Sequence, residues 1–209
     1  SPDVFIPIAE ETGLILPLGD WVLQKATKQL SIWQSQIPDA NIHISVNLSG
    51  KQLAHPDLLD QIENAIQQSS ICPSHLKLEV TESDIINDME AAATVLKDIK
   101  QLGVGTQMDD FGTGYSSLSY LHQFPFDIIK IDRSFVMGMA QDKSKVSLIK
   151  AVILMAKELK KKIVAEGIET LEAMVILTDL GCEYGQGFYV SPAINPEDAT
   201  AFLKKSLEG

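Results

Sequence analysis

Asn47, Glu79, Asp109, Asp110 and Glu166 are oxygen-bearing side chains at or just past the ends of short apolar runs. Lys130 and Asp132 sit in the run DIIKID, and Gln186 lies at the head of the run GQGFYV. Hard oxygen donors with no imidazole or thiolate among them select magnesium or manganese over zinc. The histidines His43, His55, His75 and His122 lie apart from these positions and form no pair at ligand spacing. The adjacent carboxylates Asp109 and Asp110 are the most informative, because two consecutive residues at a strand end can reach two ions, one on each side. Two ions about 3.5–4 Å apart activate water and stabilise the leaving oxygen in phosphodiester cleavage. Lys130 would add positive charge near the attacked phosphate or the attacking water. So many carboxylates are costly together unless a metal or an opposite charge compensates them.

Each residue also has a reading without chemistry. Asn47 suits a strand-end turn, Glu79 the solvated face of an alternating strand, and Asp109 with Asp110 the start of the turn DDFGTG. Lys130 suits an ion pair with Asp132, Glu166 a helix cap, and Gln186 a tight turn between Gly185 and Gly187. The metal reading rests on all of them meeting at one rim, as the carboxyl ends of parallel strands do. Gly112 and Gly114 follow the acidic pair and allow close approach of backbone to a ligand, with hydroxyls from Tyr115, Ser116 and Ser117 beside them. That loop reads as a mobile part of an active site.

The elements that must position these side chains alternate in type. Six runs, HISVNLS, LKLEV, VGTQM, DIIKID, KKIVAE and GQGFYV, read as strands. Residues 17 to 36 read as a helix with Leu18, Trp21, Val22, Ala26, Leu30 and Trp33 near one face. HPDLLDQIENAIQQ gives another, with Pro56 early and Leu58, Leu59, Ile62 and Ile66 inward. Asn87 or Asp88 caps a helix that stops at Gly103, and residues 115 to 123 suggest a short one. Val146, Ile149, Ile153 and Ala156 mark a long helix, Glu169 or Thr170 to Leu180 a further one closed by Gly181, and Asn195-Pro196 the start of the last. Strand–helix alternation predicts a parallel α/β fold. Chemistry at nearly every strand end favours a TIM-type (β/α) barrel over an open sheet. A full barrel has eight strands in about 250 residues, so six strands imply an incomplete barrel lacking its first two. No Pro/Gly/Ser-rich linker divides residues 1–209, which reads as a single domain.

Composition narrows the function. With 45% apolar and 22% charged residues, the chain has the balance of an ordinary globular protein. A net charge of −11 argues against a duplex nucleic-acid partner. A small phosphorylated ligand remains compatible, provided local cations hold it. No apolar run reaches membrane-spanning length. The cysteines Cys72 and Cys182 suggest neither a disulfide framework nor a zinc site, and fit a reducing cytosol.

Taken together, FIPIAEETGLI, SVNLS, LEVTES, DDFGTGYSSLSYL, IIKIDRSFV, VAEGIET and GCEYGQGFY closely resemble the EAL-domain family of cyclic di-GMP phosphodiesterases. The resemblance covers nearly the whole chain. It implies a barrel that hydrolyses cyclic di-GMP to linear pGpG with two magnesium or manganese ions. By that similarity Asn47 and Glu79 are ligands of one ion, Asp109 bridges, and Asp110 and Glu166 are ligands of the second. Lys130 matches the lysine that orients or activates the attacking water, and Glu82 the glutamate that holds the DFGTG loop. Glu169 and Gln186 match positions that contact substrate or support the site. The Glu-Ala-Leu signature and a following Arg lie upstream of the F-I-P-x-A-E block in the family and are not in this sequence. Their absence keeps open a second reading, an EAL-like module that binds cyclic di-GMP or docks a partner without turnover. A different metal-dependent phosphodiesterase on the same barrel is a third. Bare strand edges left by missing strands would promote self-association, and the family often dimerises. A homodimer or other self-association is therefore expected, and so is a place in the bacterial cytoplasm, either free or as the cytosolic part of a larger membrane-attached sensor.

Overall fold

The computed structural model describes residues 1–86, 88–113 and 121–207. The chain divides into two compact units, residues 1–80, 84–106 and 195–209 in the first, and residues 81–83 and 107–194 in the second. Strands and helices alternate along it as expected, and the ladders in both units are parallel. Among the described residues no helix is long and apolar enough to cross a membrane.

In the first unit, the helix Ile15–Gln36 buries Ile15, Leu23, Thr27 and Leu30. Leu23, Thr27 and Leu30 recur at helical spacing and so form one stripe. Thr27 satisfies its buried hydroxyl by donating to the Leu23 carbonyl at 3.0 Å, which makes a polar residue admissible there. The stripe differs from the expected one: Trp21 is 56% exposed and Val22 is also exposed. Three consecutive residues span about 200° of a helix, wider than one buried stripe, and Leu23 takes the inward position. The helix Leu58–Ser69 buries Leu58, Ile62 and Ala65 and packs on Ile15–Gln36. It begins after Pro56, so the proline precedes the helix. Strands β1 (Ile44–Leu48) and β2 (Leu76–Thr81) pair in parallel with Asn47 opposite Glu79. Asp88 caps the helix Met89–Gln101 by accepting from the Ala91 amide. Asn195 caps Pro196–Leu207 by accepting from the Asp198 amide at 2.8 Å. A further helix, Pro2–Thr12, precedes these and holds Pro7 in its interior, where proline is normally disfavoured.

In the second unit, β3 (Gly105–Phe111, counted here from Gln107), β4 (Ile128–Ile131), β5 (Lys162–Ala165) and β6 (Tyr184–Gly185) follow one another. All of β4 is buried, Lys130 included, as happens to parallel strands covered on both faces. The helix Lys143–Glu158 covers part of this ladder through Ile149, Ile153 and Ala156, and Asp142 caps it. The helix expected near residues 115–123 falls mainly outside the described residues.

The last strand corrects the expectation for GQGFYV. It spans Tyr184–Gly185 and ends before Gln186 instead of beginning there. At Gly187 the backbone runs close against Ile168: a Cβ there would sit 2.2 Å from the Ile168 carbonyl oxygen and 2.3 Å from the Ile168 nitrogen, so only glycine fits. The backbone then turns, with Tyr189 N–H donating to Ile168 O and Val190 N–H to Gly187 O. Gly187→Ala forces backbone apart and is expected to cost about 1–3 kcal/mol, as overpacking does. Chemical denaturation checks this, and an unchanged midpoint would exclude the close approach.

Candidate metal centre

Asp109 and Asp110 sit at the end of β3, where the ladder with β4 is irregular. Gln107 and Met108 pair with Ile128 and Ile129, yet Phe111 pairs with Ile131. Two residues of β3 therefore stand opposite the single residue Lys130, which is a β-bulge. Asp110 takes a left-handed backbone with φ 53°. Successive residues of a regular strand point to opposite faces. The bulge cancels that alternation, and the ligand atoms of Asp109, Asp110 and Glu166 lie within 4.8 Å of one another. The turn is held by Asp110 N–H donating to Asp109 Oδ1 at 3.0 Å and by Thr113 Oγ1 donating to the Asp110 carbonyl at 2.9 Å.

Glu166 lies one residue past β5, and its amide donates to the Ile131 carbonyl at 3.1 Å. Lys130, 4% exposed, places its Nζ 3.0 Å from Asp109 Oδ1 and 2.7 Å from Glu166 Oε1. Burial pushes the Asp110 carboxyl above its ordinary value, and the charges of Asp109 and Asp132 push it the same way. The site thus concentrates more negative charge than its lysine balances. A hard divalent cation fits this all-carboxylate set of donors.

Glu82 is buried and accepts from the Gly112 amide at 3.1 Å. Gly112 has φ 98°, and a Cβ there would meet the Phe135 ring at 2.8 Å. Phe135 escaped the sequence reading, since nothing in RSFV distinguishes it from an ordinary packing residue. Of the plain readings, the helix cap belongs to Thr170, which accepts from Ala173 N–H at the start of Leu171–Asp179, and not to Glu166. Asp132 caps the helix Arg133–Val136 by accepting from Ser134 N–H.

Glu169 is exposed and lines a small pocket of 140 Å³ with Gly167 and Met137. Gln186 is exposed as well, and its backbone ties β5 to the following turn, donating to Ala165 O and accepting from Ile168 N–H. In the first unit, Asn47 and Glu79 are register partners on adjacent parallel strands. Such partners project from the same face of a sheet. Glu79 is 7% exposed. Tyr115, Ser116, Ser117 and Gly114 lie outside the described residues.

The sequence model of the EAL domain family matches residues 1–193. The bifunctional diguanylate cyclase/cyclic di-GMP phosphodiesterase MucR of Pseudomonas aeruginosa is 43% identical over 201 residues, covering 96% of this chain and 29% of that protein. The cyclic di-GMP phosphodiesterase PA2567 of the same organism is 38% identical over 206 residues, covering 98% of this chain and 35% of that protein. The chain spans about a third or less of the length of these curated relatives. Among solved structures, the PaMucR phosphodiesterase in its c-di-GMP complex aligns with a TM-score of 0.91 and 42% identity, over 95% of this chain and 80% of that one. The EAL domain of Mycobacterium smegmatis DcpA aligns with a TM-score of 0.85 and 35% identity, over 90% of this chain and 84% of that one. The expected α/β barrel class, with six strands in this chain, matches these structures.

Proposed function

This chain belongs to the EAL domain family, and from that premise we propose that it hydrolyses cyclic di-GMP to linear pGpG with magnesium or manganese. The observation that carries the proposal is the cluster of Asp109, Asp110 and Glu166 around a buried lysine. Those three side chains would hold one ion. Asn47 and Glu79 are the proposed donors for a second. A divalent cation in such a site polarises the phosphate and lowers the pKa of water.

The chain's own residues supply the rest. Lys130 carries a fixed positive charge between Asp109 and Glu166, suited to orienting the attacking water and to stabilising charge that develops on phosphate oxygens. Its ammonium is anchored by two carboxylates, so it needs little reorganisation during reaction. Glu82 acts at one remove as a positioning residue, fixing the backbone that follows the acidic pair through Gly112. Glu169 and Gln186 are proposed to contact the substrate or support the site. The reading also implies residues 1–209 working as one EAL-type domain, a cytoplasmic location and a homodimer, the last checked by sedimentation.

The direct test is release of pGpG from cyclic di-GMP by the purified chain in magnesium or manganese, with EDTA as control. Binding of cyclic di-GMP without any product under these conditions would favour the non-catalytic module instead. Glu82→Ala should lower turnover by about 10-fold to 100-fold, in line with losses of outer-shell support at metal sites. It should also raise the metal concentration needed for half-maximal rate. A change in turnover with unchanged metal dependence would contradict the positioning role.

A further inference from the structure

A groove of 530 Å³ runs between the helices Ile15–Gln36 and Leu58–Ser69, far larger than the pocket beside Glu169. Its lining includes Lys25 and Lys28 and, among the described residues, no Asp or Glu. That is unusual for a chain with 17 basic and 28 acidic residues. Lys25 Nζ lies 5.8 Å from the centroid of the Trp21 ring. Among the described residues neither Lys25 nor Lys28 pairs with a carboxylate.

The spacing of the lining residues is itself informative. Trp21, Lys25, Lys28 and Ile32 stand at i, i+4, i+7 and i+11, which places them along one face of the helix. At 1.5 Å per residue the row is about 16 Å long. It has two cations in the middle and an exposed apolar side chain at each end, Trp21 at 56% and Ile32 at 40%. Across the groove, Ala65 and Gln68 offer a low wall without charge. A small anion would engage only the central lysines and leave both apolar ends in water. A helix laid along the groove engages all four positions, in the helix-in-groove mode of recognition.

We propose that this groove docks an acidic amphipathic helix from outside this chain. Its contact face would carry two acidic residues over Lys25 and Lys28, flanked by apolar residues that cover Trp21 and Ile32. Charge complementarity of this kind sets partner choice and association rate.

The test uses a labelled synthetic helix with Leu, Glu, Glu and Leu at the matching spacing, titrated with the chain and read by fluorescence anisotropy. Saturable binding is expected, weakening as salt rises. It should fall by about tenfold or more, equivalent to at least about 1.4 kcal/mol, in the variant Lys25→Glu/Lys28→Glu. Both positions are exposed, and circular dichroism confirms that the variant folds. Trp21→Ala should weaken binding without changing its salt dependence. Equal binding of a peptide with Lys in place of Glu would overturn the proposal, as would no saturable binding. Displacement of the peptide by pyrophosphate at equal concentration would make the groove a small-anion site instead. Self-association that the same charge reversal abolishes would make the occupant a second copy, and either result rejects the acidic helix.

Discussion

Glu166→Gln and Asp110→Asn are each expected to reduce hydrolysis of cyclic di-GMP by about 10³-fold or more. A metal contributes several kcal/mol of charge stabilisation, and each 1.36 kcal/mol is about tenfold in rate. Both replacements keep the size of the side chain and remove only its charge. Lys130 can still donate to an amide oxygen at position 166, where it now lies 2.7 Å from the carboxylate. The two variants should therefore separate activity from folding. Asp110 is the sharper case. Its carboxyl is pushed up first by burial and then by Asp109 and Asp132. A raised folded-state value means that the ionised form is disfavoured in the folded protein, so at neutral pH this charge works against folding. Asp110→Asn should therefore leave the metal-free protein at least as stable as the parent while turnover disappears. Thermal unfolding in EDTA, beside a product assay in magnesium, checks both halves. Retained turnover would remove Asp110 from the site.

Lys130→Met should damage both activity and stability, and the stability loss should depend on metal. The ammonium lies between two partly buried carboxylates, whose side chains are 13% and 17% exposed. Breaking a buried pair by removing one partner costs about 3–5 kcal/mol, and the partial exposure of the carboxylates argues for the lower end. Without metal, three carboxylates then share one site with less compensation. With magnesium present, the added cation should restore part of the lost stability, so the difference in unfolding free energy between EDTA and magnesium should exceed that of the parent. Turnover should fall about 10²-fold to 10⁴-fold, the usual contribution of a positioned acid–base group. A variant equally stable with and without metal would show that no ion shares the site with Lys130.

Most of the chemistry was readable from residue type. Oxygen donors without histidine or cysteine indicated a hard cation, and the apolar runs located β1 to β5 close to where they form. The caps at Asp88, Thr170 and Asn195 are local signals, because a capping side chain reaches only two or three residues along the chain. GQGFYV failed as a strand because the partner that turns the chain, the Ile168 carbonyl that accepts from Tyr189 N–H, lies well back in the sequence. Trp21 failed as a core residue because periodicity counts apolarity and cannot choose between Trp21 and Leu23.

The sequence alone determined that Asp109 and Asp110 stand together at a strand end. It could not determine that both reach Glu166, since an ordinary strand would send them to opposite faces. That depends on the bulge opposite Lys130, a mismatch in pairing with a strand some twenty residues away. Register between strands is a property of the assembled ladder, and only the tertiary structure decides it.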